Sequence, residues 1–83
     1  MAIGNGHFET RNTALAAYLR IEGFRLLDVE PSDGSAPAVF FFEQDSQIAE
    51  AEHLWQLGQA VGNLCDFWES YRLCLRMVKI GKL

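Results

Sequence analysis

The stretch Ala38-Val39-Phe40-Phe41-Phe42-Glu43-Gln44-Asp45, AVFFFEQD, holds three of the chain's six phenylalanines in consecutive positions. How it folds decides the rest. The apolar run is short, rich in β-formers, preceded by Pro37 and closed by polar residues, which reads as a strand. Successive strand residues point to opposite faces, so Phe40 and Phe42 share one side while Phe41 looks the other way with Val39 and Glu43. Phe40 and Phe42 are expected in the core. Phe41 is expected to need a cover, from a helix or from another chain.

Working outward toward the N-terminus, PSDGSAP (31–37) carries Asp33-Gly34, a tight-turn signal, between two prolines. Before it, FRLLDVE (24–30) is a second strand, so the two make a β-hairpin from about Phe24 to Gln44. With Asp33-Gly34 at the centre, Leu27 lies opposite Phe40 and Leu26 opposite Phe41, although so many turn-like residues admit other registers. The preceding helix is TRNTALAAYLRIEG (10–23). Thr10 or Asn12 can cap it, Ala14, Leu15, Ala17, Tyr18 and Ile21 form its apolar face, and Gly23 ends it. Residues 1–9 are expected to be a flexible lead-in.

Toward the C-terminus, Asp45 or Ser46 caps a second helix, SQIAEAEHLWQLG (46–58), with Ile48, Ala51, Leu54 and Trp55 on one side. Asp66 is expected to open the last helix, DFWESYRLCLRMVKI (66–80). The expected order is α-β-β-α-α, a small two-layer α+β domain spanning residues 1–83, with an antiparallel hairpin packed against three helices.

The last helix carries more apolar surface than one contact needs. Phe67, Trp68, Tyr71, Cys74, Leu75 and Val78 form a wide face for the hairpin, while Leu73, Met77 and Ile80 fall on nearly the opposite side. Single apolar residues on a surface are ordinary. A second stripe instead suggests a protein partner or a symmetric homodimer, with Leu73, Met77, Ile80 and Phe41 as the candidate interface.

Composition narrows the function classes. Acidic residues outnumber basic ones 11 to 7, giving a net charge of −4 and a pI near 4.9. The acids read as spread through the chain. That balance disfavours nucleic acid and anionic membrane as partners, since both reward cations. No apolar run approaches the roughly 20 residues that span a bilayer, and MAIGNGHFET lacks the pattern of a secretory signal. With Cys65 and Cys74 as expected reduced thiols, the expected location is cytoplasmic.

No catalytic, cofactor or metal site emerges. His7 lies in the expected lead-in and His53 on the polar side of a helix, where solvated histidines are ordinary. The two cysteines and two histidines lack the close pairing of zinc sites, so no metal is expected. Cys65, near a helix start, is the better thiol candidate, because Cys74 faces the expected core. Glu50 and Glu52 are two apart on a helix and do not face each other. GNG at 4–6 lacks the strand and helix that a phosphate loop requires.

FETRNTALAAYLRIEGFRLLDVE, VFFFEQD, LWQLGQAVGN and DFWESYRLCLRMV together resemble a family of short bacterial and phage proteins catalogued only as a domain of unknown function. The likeness runs over residues 8–80. It implies an α+β fold, an aromatic-rich opening of the last helix (Phe67 and Tyr71 here), and no assigned activity or catalytic residue. Extra outward apolars at Leu73 and Met77, and Trp68, depart from the pattern.

The leading functional expectation is therefore a non-enzymatic protein–protein interaction module. The alternative is a small-ligand-binding domain with a pocket lined by Tyr18, Phe40, Phe42, Trp55, Trp68 and Tyr71, although close packing of such rings is the usual outcome. A third is a nucleic-acid-associated protein, which AVFFFEQD serves poorly because it lacks the basic residue and glycine of an RNA-stacking strand.

Overall fold

The computed structural model describes residues 7–32 and 37–80, without the side chain of Ile80. The expected turn at Asp33-Gly34 lies outside the described residues, as do residues 1–6 of the expected lead-in. The elements run β1 (His7–Thr10), α1 (Thr13–Ile21), β2 (Leu26–Glu30), β3 (Val39–Glu43), α2 (Ile48–Gln56) and α3 (Leu64–Ile80). The fold is α+β, with three helices and a three-stranded antiparallel sheet of order β1-β3-β2 among the described residues.

The sequence reading missed β1. His7–Thr10 is a strand, with His7 opposite Glu43, Phe8 opposite Phe42, Glu9 opposite Phe41 and Thr10 opposite Phe40. A four-residue strand has little periodicity of its own. Its partner stands thirty or more residues away, so it forms because β3 offers a free edge.

The hairpin register also differs from expectation. Leu26 lies opposite Phe42, Asp28 opposite Phe41, Val29 opposite Phe40 and Glu30 opposite Val39, with an irregularity at Leu27. The extra residue matters chemically. It lets both Leu26 and Val29 turn to the side of Phe40 and Phe42, three positions apart instead of two or four.

Both ends of α1 are set by local chemistry. The Asn12 side chain accepts a hydrogen bond from the Leu15 N–H at 3.1 Å, satisfying one of the orphan donors of the first turn. Gly23 takes φ +95°, the Gly23 N–H donates to the Arg20 carbonyl, and the Phe24 N–H reaches the Leu19 carbonyl at 3.1 Å. This paired closure brings Phe24 back onto the core. Helix α2 ends the same way at Gly58, where the Gln59 N–H donates to the Leu54 carbonyl at 2.9 Å.

One hydrophobic cluster joins the helices to a single face of the sheet. It includes Leu15, Leu19, Val29, Phe40, Phe42, Ile48, Cys74 and Met77. Phe40 and Phe42 are fully buried, and each contributes on the order of 2–3 kcal/mol by leaving water. Phe41 and Val39 are buried as well, on the opposite face. Phe41 is only 8% exposed, with the His7 ring centroid 5.7 Å from its own. The cover that Phe41 was expected to need is present within the chain.

Candidate functional site

The face that α3 turns inward differs from the one its apolar residues suggest. Its buried or half-buried residues are Phe67, Ser70, Tyr71, Cys74, Met77 and Val78, at the spacings of a single helical stripe. A polar residue centres that stripe. Ser70 is buried, its Oγ donates to the Ala17 carbonyl at 3.0 Å, and it accepts from the Arg20 guanidinium at 3.2 Å. These bonds tie α3 to α1 and supply what the hydroxyl loses by leaving water. With Ser70 inside, Met77, two turns on, falls inside too, at 6% exposure.

Three expectations are corrected by this rotation. Met77 belongs to the core and not to a second outward stripe. Trp68 and Leu75, expected inward, are exposed, Trp68 at 58%. Of the candidate interface residues, only Leu73 is exposed; Phe41 and Met77 are buried, and the Ile80 side chain lies outside the described residues.

The aromatic candidates separate into two groups. Phe40 and Phe42 are closed inside the core. The others form a row that crosses the helical layer. Tyr18 of α1 stands 5.4 Å from Trp55 of α2, Trp55 stands 6.0 Å from Phe67 of α3, and Phe67 is 6.0 Å from Tyr71, centroid to centroid. Trp68 ends the row, 6.2 Å from Tyr71. Ring pairs at these distances are favourable beyond the area they bury.

Beside this row the α2–α3 connection leaves a cleft of about 210 Å³. Tyr18, Trp55 and Phe67 wall it, and Ile21 and Ala60 complete its apolar lining. Gly62 lies close against α1: a Cβ there would come within 3.2 Å of the Ile21 side chain. Asn63 caps α3 by accepting from the Asp66 N–H at 3.0 Å, so the helix begins at Leu64, two residues before the expected start. That start sets Leu64 and Val61 on the cleft rim, at 83% and 81% exposure. Leu57 is exposed nearby in sequence. Of the six residues expected to line a pocket, Tyr18 and Trp55 border this cleft, and Phe40, Phe42, Trp68 and Tyr71 do not. Sequence reasoning missed Val61 and Leu64, whose signal was an apolar pair inside a glycine-rich connector.

Burial favours the neutral forms of two helix side chains, Tyr18 and Cys74. Burial pushes the Tyr18 phenol above its ordinary value, and the Glu22 carboxylate adds to the rise. Burial raises the Cys74 thiol against the opposing pull of Arg20, so it stays protonated and acts as a small hydrophobe. Cys65 is exposed, and both cysteines are free thiols. Among the described residues, no group of three or more His, Cys, Asp or Glu is placed to hold a metal ion. Nor is any helix of the described residues long and apolar enough to cross a membrane.

A family described as a domain of unknown function, DUF5659, matches residues 5–68, from just before β1 to the first turns of α3. The chain belongs to the DUF5659 family. The match takes in the sheet, the Tyr18–Trp55–Phe67 row and the whole cleft lining, and stops short of Ser70 and the rest of α3. No curated protein and no solved structure matches the chain.

Proposed function

We propose that this DUF5659 chain is a non-enzymatic, cytoplasmic interaction module that receives a bulky apolar side chain of a protein partner in the cleft between α1, α2 and α3. The observation that carries this reading is the exposure of Val61 and Leu64 on the rim of an aromatic-walled cleft. Large apolar side chains so open to water lose free energy that a partner would return, about 25 cal/mol for each Å² covered. The cleft's size favours a side chain over a metabolite, since small-molecule sites span about 300–1,000 Å³. Two free thiols suit a reducing compartment.

Photo-crosslinking in cells tests this reading. A crosslinking residue at Val61 or at Leu64 is expected to give a discrete covalent adduct, and one at Glu50, exposed on α2 outside the cleft lining, none. Gly62→Leu, which crowds the cleft, is expected to abolish the adducts. Equal labelling at all three positions, or none, overturns the reading. Light scattering of the purified protein shows whether the partner is a second copy.

The aromatic row favours one second reading, a small apolar ligand seated against Trp55 and Phe67. A compound that raises the melting temperature at unchanged molecular mass, and loses that effect in Gly62→Leu, would support it.

A further inference from the structure

Charge in this chain is not spread as its composition suggests. All eleven acidic residues precede Ser70, with three basic residues among them, so that part carries −8; the four remaining basic residues follow Ser70 with no acid, giving +4. Three of those four, Arg72, Arg76 and Lys79, lie on the described part of α3. All three are exposed, and among the described residues none of them forms an ion pair. Trp68, Arg72, Leu75 and Lys79 recur at spacings of four, three and four, which sets them on one stripe, with Arg76 alongside. Leu75 and the three cations line one shallow depression of about 300 Å³.

We propose that the outer face of α3 is a docking strip for an acidic, amphipathic segment of a partner protein, its carboxylates meeting Arg72, Arg76 and Lys79 and its apolar residues meeting Trp68 and Leu75. This rests on the reading of the chain as an interaction module and names the partner's chemistry. The choice of occupant follows from charge and from the apolar residues between the cations. A phosphate backbone would match the cations and leave Leu75 unsatisfied, and a nucleic acid extending past the helix would meet the −8 of the remaining chain. An anionic bilayer would bring that same acidic body against a like-charged plane. A short acidic peptide lying along α3 avoids both costs. Tryptophan and arginine are also the residues that most often dominate protein interfaces. The strip continues at its N-terminal end into Leu64 on the cleft rim, so one segment can fill the cleft and lie along the helix.

The test uses a fluorescein-labelled peptide of about 16 residues with glutamate and leucine at helical spacing, long enough to follow the roughly 23 Å from Leu64 to Lys79. Controls are the same peptide with lysine for glutamate, an oligothymidylate and phosphatidylglycerol vesicles. Fluorescence anisotropy at low salt should show the acidic peptide bound, the lysine peptide unbound, and binding weakened by added salt. Arg72→Glu with Arg76→Glu should weaken it at least about tenfold, with the urea midpoint unchanged because both residues are exposed. Tighter binding of the oligothymidylate or the vesicles, no binding of the acidic peptide, or an unchanged affinity in the double variant overturns the proposal. So does self-association of the wild type that the double variant abolishes, which would make the occupant a second copy. Leu64→Lys separates the two readings: if it abolishes binding while the double variant does not, the cleft is the site and the cationic strip is not.

Discussion

The sheet and the N-terminal end of α3 are both aromatic-rich, yet they treat their rings in opposite ways. In β3, three consecutive phenylalanines are all buried, two under the helices and Phe41 on the other face beside His7. At the start of α3, Trp68 stands more than half exposed and Phe67 forms the wall of an open cleft. The sheet therefore uses its aromatic area for stability, and the helix leaves part of its own exposed.

The strongest way to break that contrast is Phe42→Ala, which empties a fully buried site. It should lower the unfolding free energy by about 3–5 kcal/mol, read from the urea midpoint. Next comes a matched pair on α3. Met77→Lys forces a cation into the core and should cost at least about 2 kcal/mol, whereas Leu73→Lys, one turn earlier and exposed, should stay within about 0.5 kcal/mol. Equal costs at the two positions would mean that the helix face is assigned wrongly. Ser70→Ala sharpens the assignment, since it removes one hydrogen bond from the Ala17 carbonyl and one from Arg20; about 1–3 kcal/mol of stability should be lost.

A smaller effect follows from Tyr18. Its folded-state pKa is raised above 10.0 by burial and then by Glu22, so above that pH the unfolded chain releases a proton that the folded chain keeps. Stability should be full below pH 10 and fall as pH climbs through the folded-state value, a slope that Tyr18→Phe removes. Urea midpoints from about pH 8 to about pH 11 would measure it. Trp68→Ala should cost only about 0.5–1.5 kcal/mol, mostly its pairing with Tyr71, even though it removes the largest side-chain type in the chain.

Much of this fold was legible from local chemistry. Gly23 and Gly58 end helices because the left-handed conformation they adopt suits glycine, and Asn12 caps because its side chain reaches Leu15; neither needs a distant partner. The mixed α+β class followed from the same signals. Strand β1 was not legible, because HFET becomes a strand only where β3 presents an edge to it. The face of α3 was misread for a different reason. Apolar periodicity ignores serine, while the structure buries Ser70 and thereby turns Met77 in and Leu75 out. Of the site, Tyr18 and Trp55 were readable as aromatics on apolar faces. Val61 and Leu64 were not: the connector that holds Val61 has no period to betray which way its residues look, and Leu64 precedes the expected start of the helix. The charge division at Ser70 was readable, and only a count over the whole chain hid it.

The sheet order has a consequence for how the stickiest strand of this protein is shielded. Central strand β3 spells VFFFE, the kind of short, weakly charged aromatic run that stacks into amyloid-like ladders when its backbone is free. One of its edges is sealed by the hairpin and the other by the four residues of β1. The new outer edges are poorer templates: β1 is very short and carries Glu9, and β2 is broken by its irregularity at Leu27. His7–Thr10 thus guard the most aggregation-prone segment of the chain. A chain cut after Thr10 would be at greater risk from its own copies than from unfolding alone.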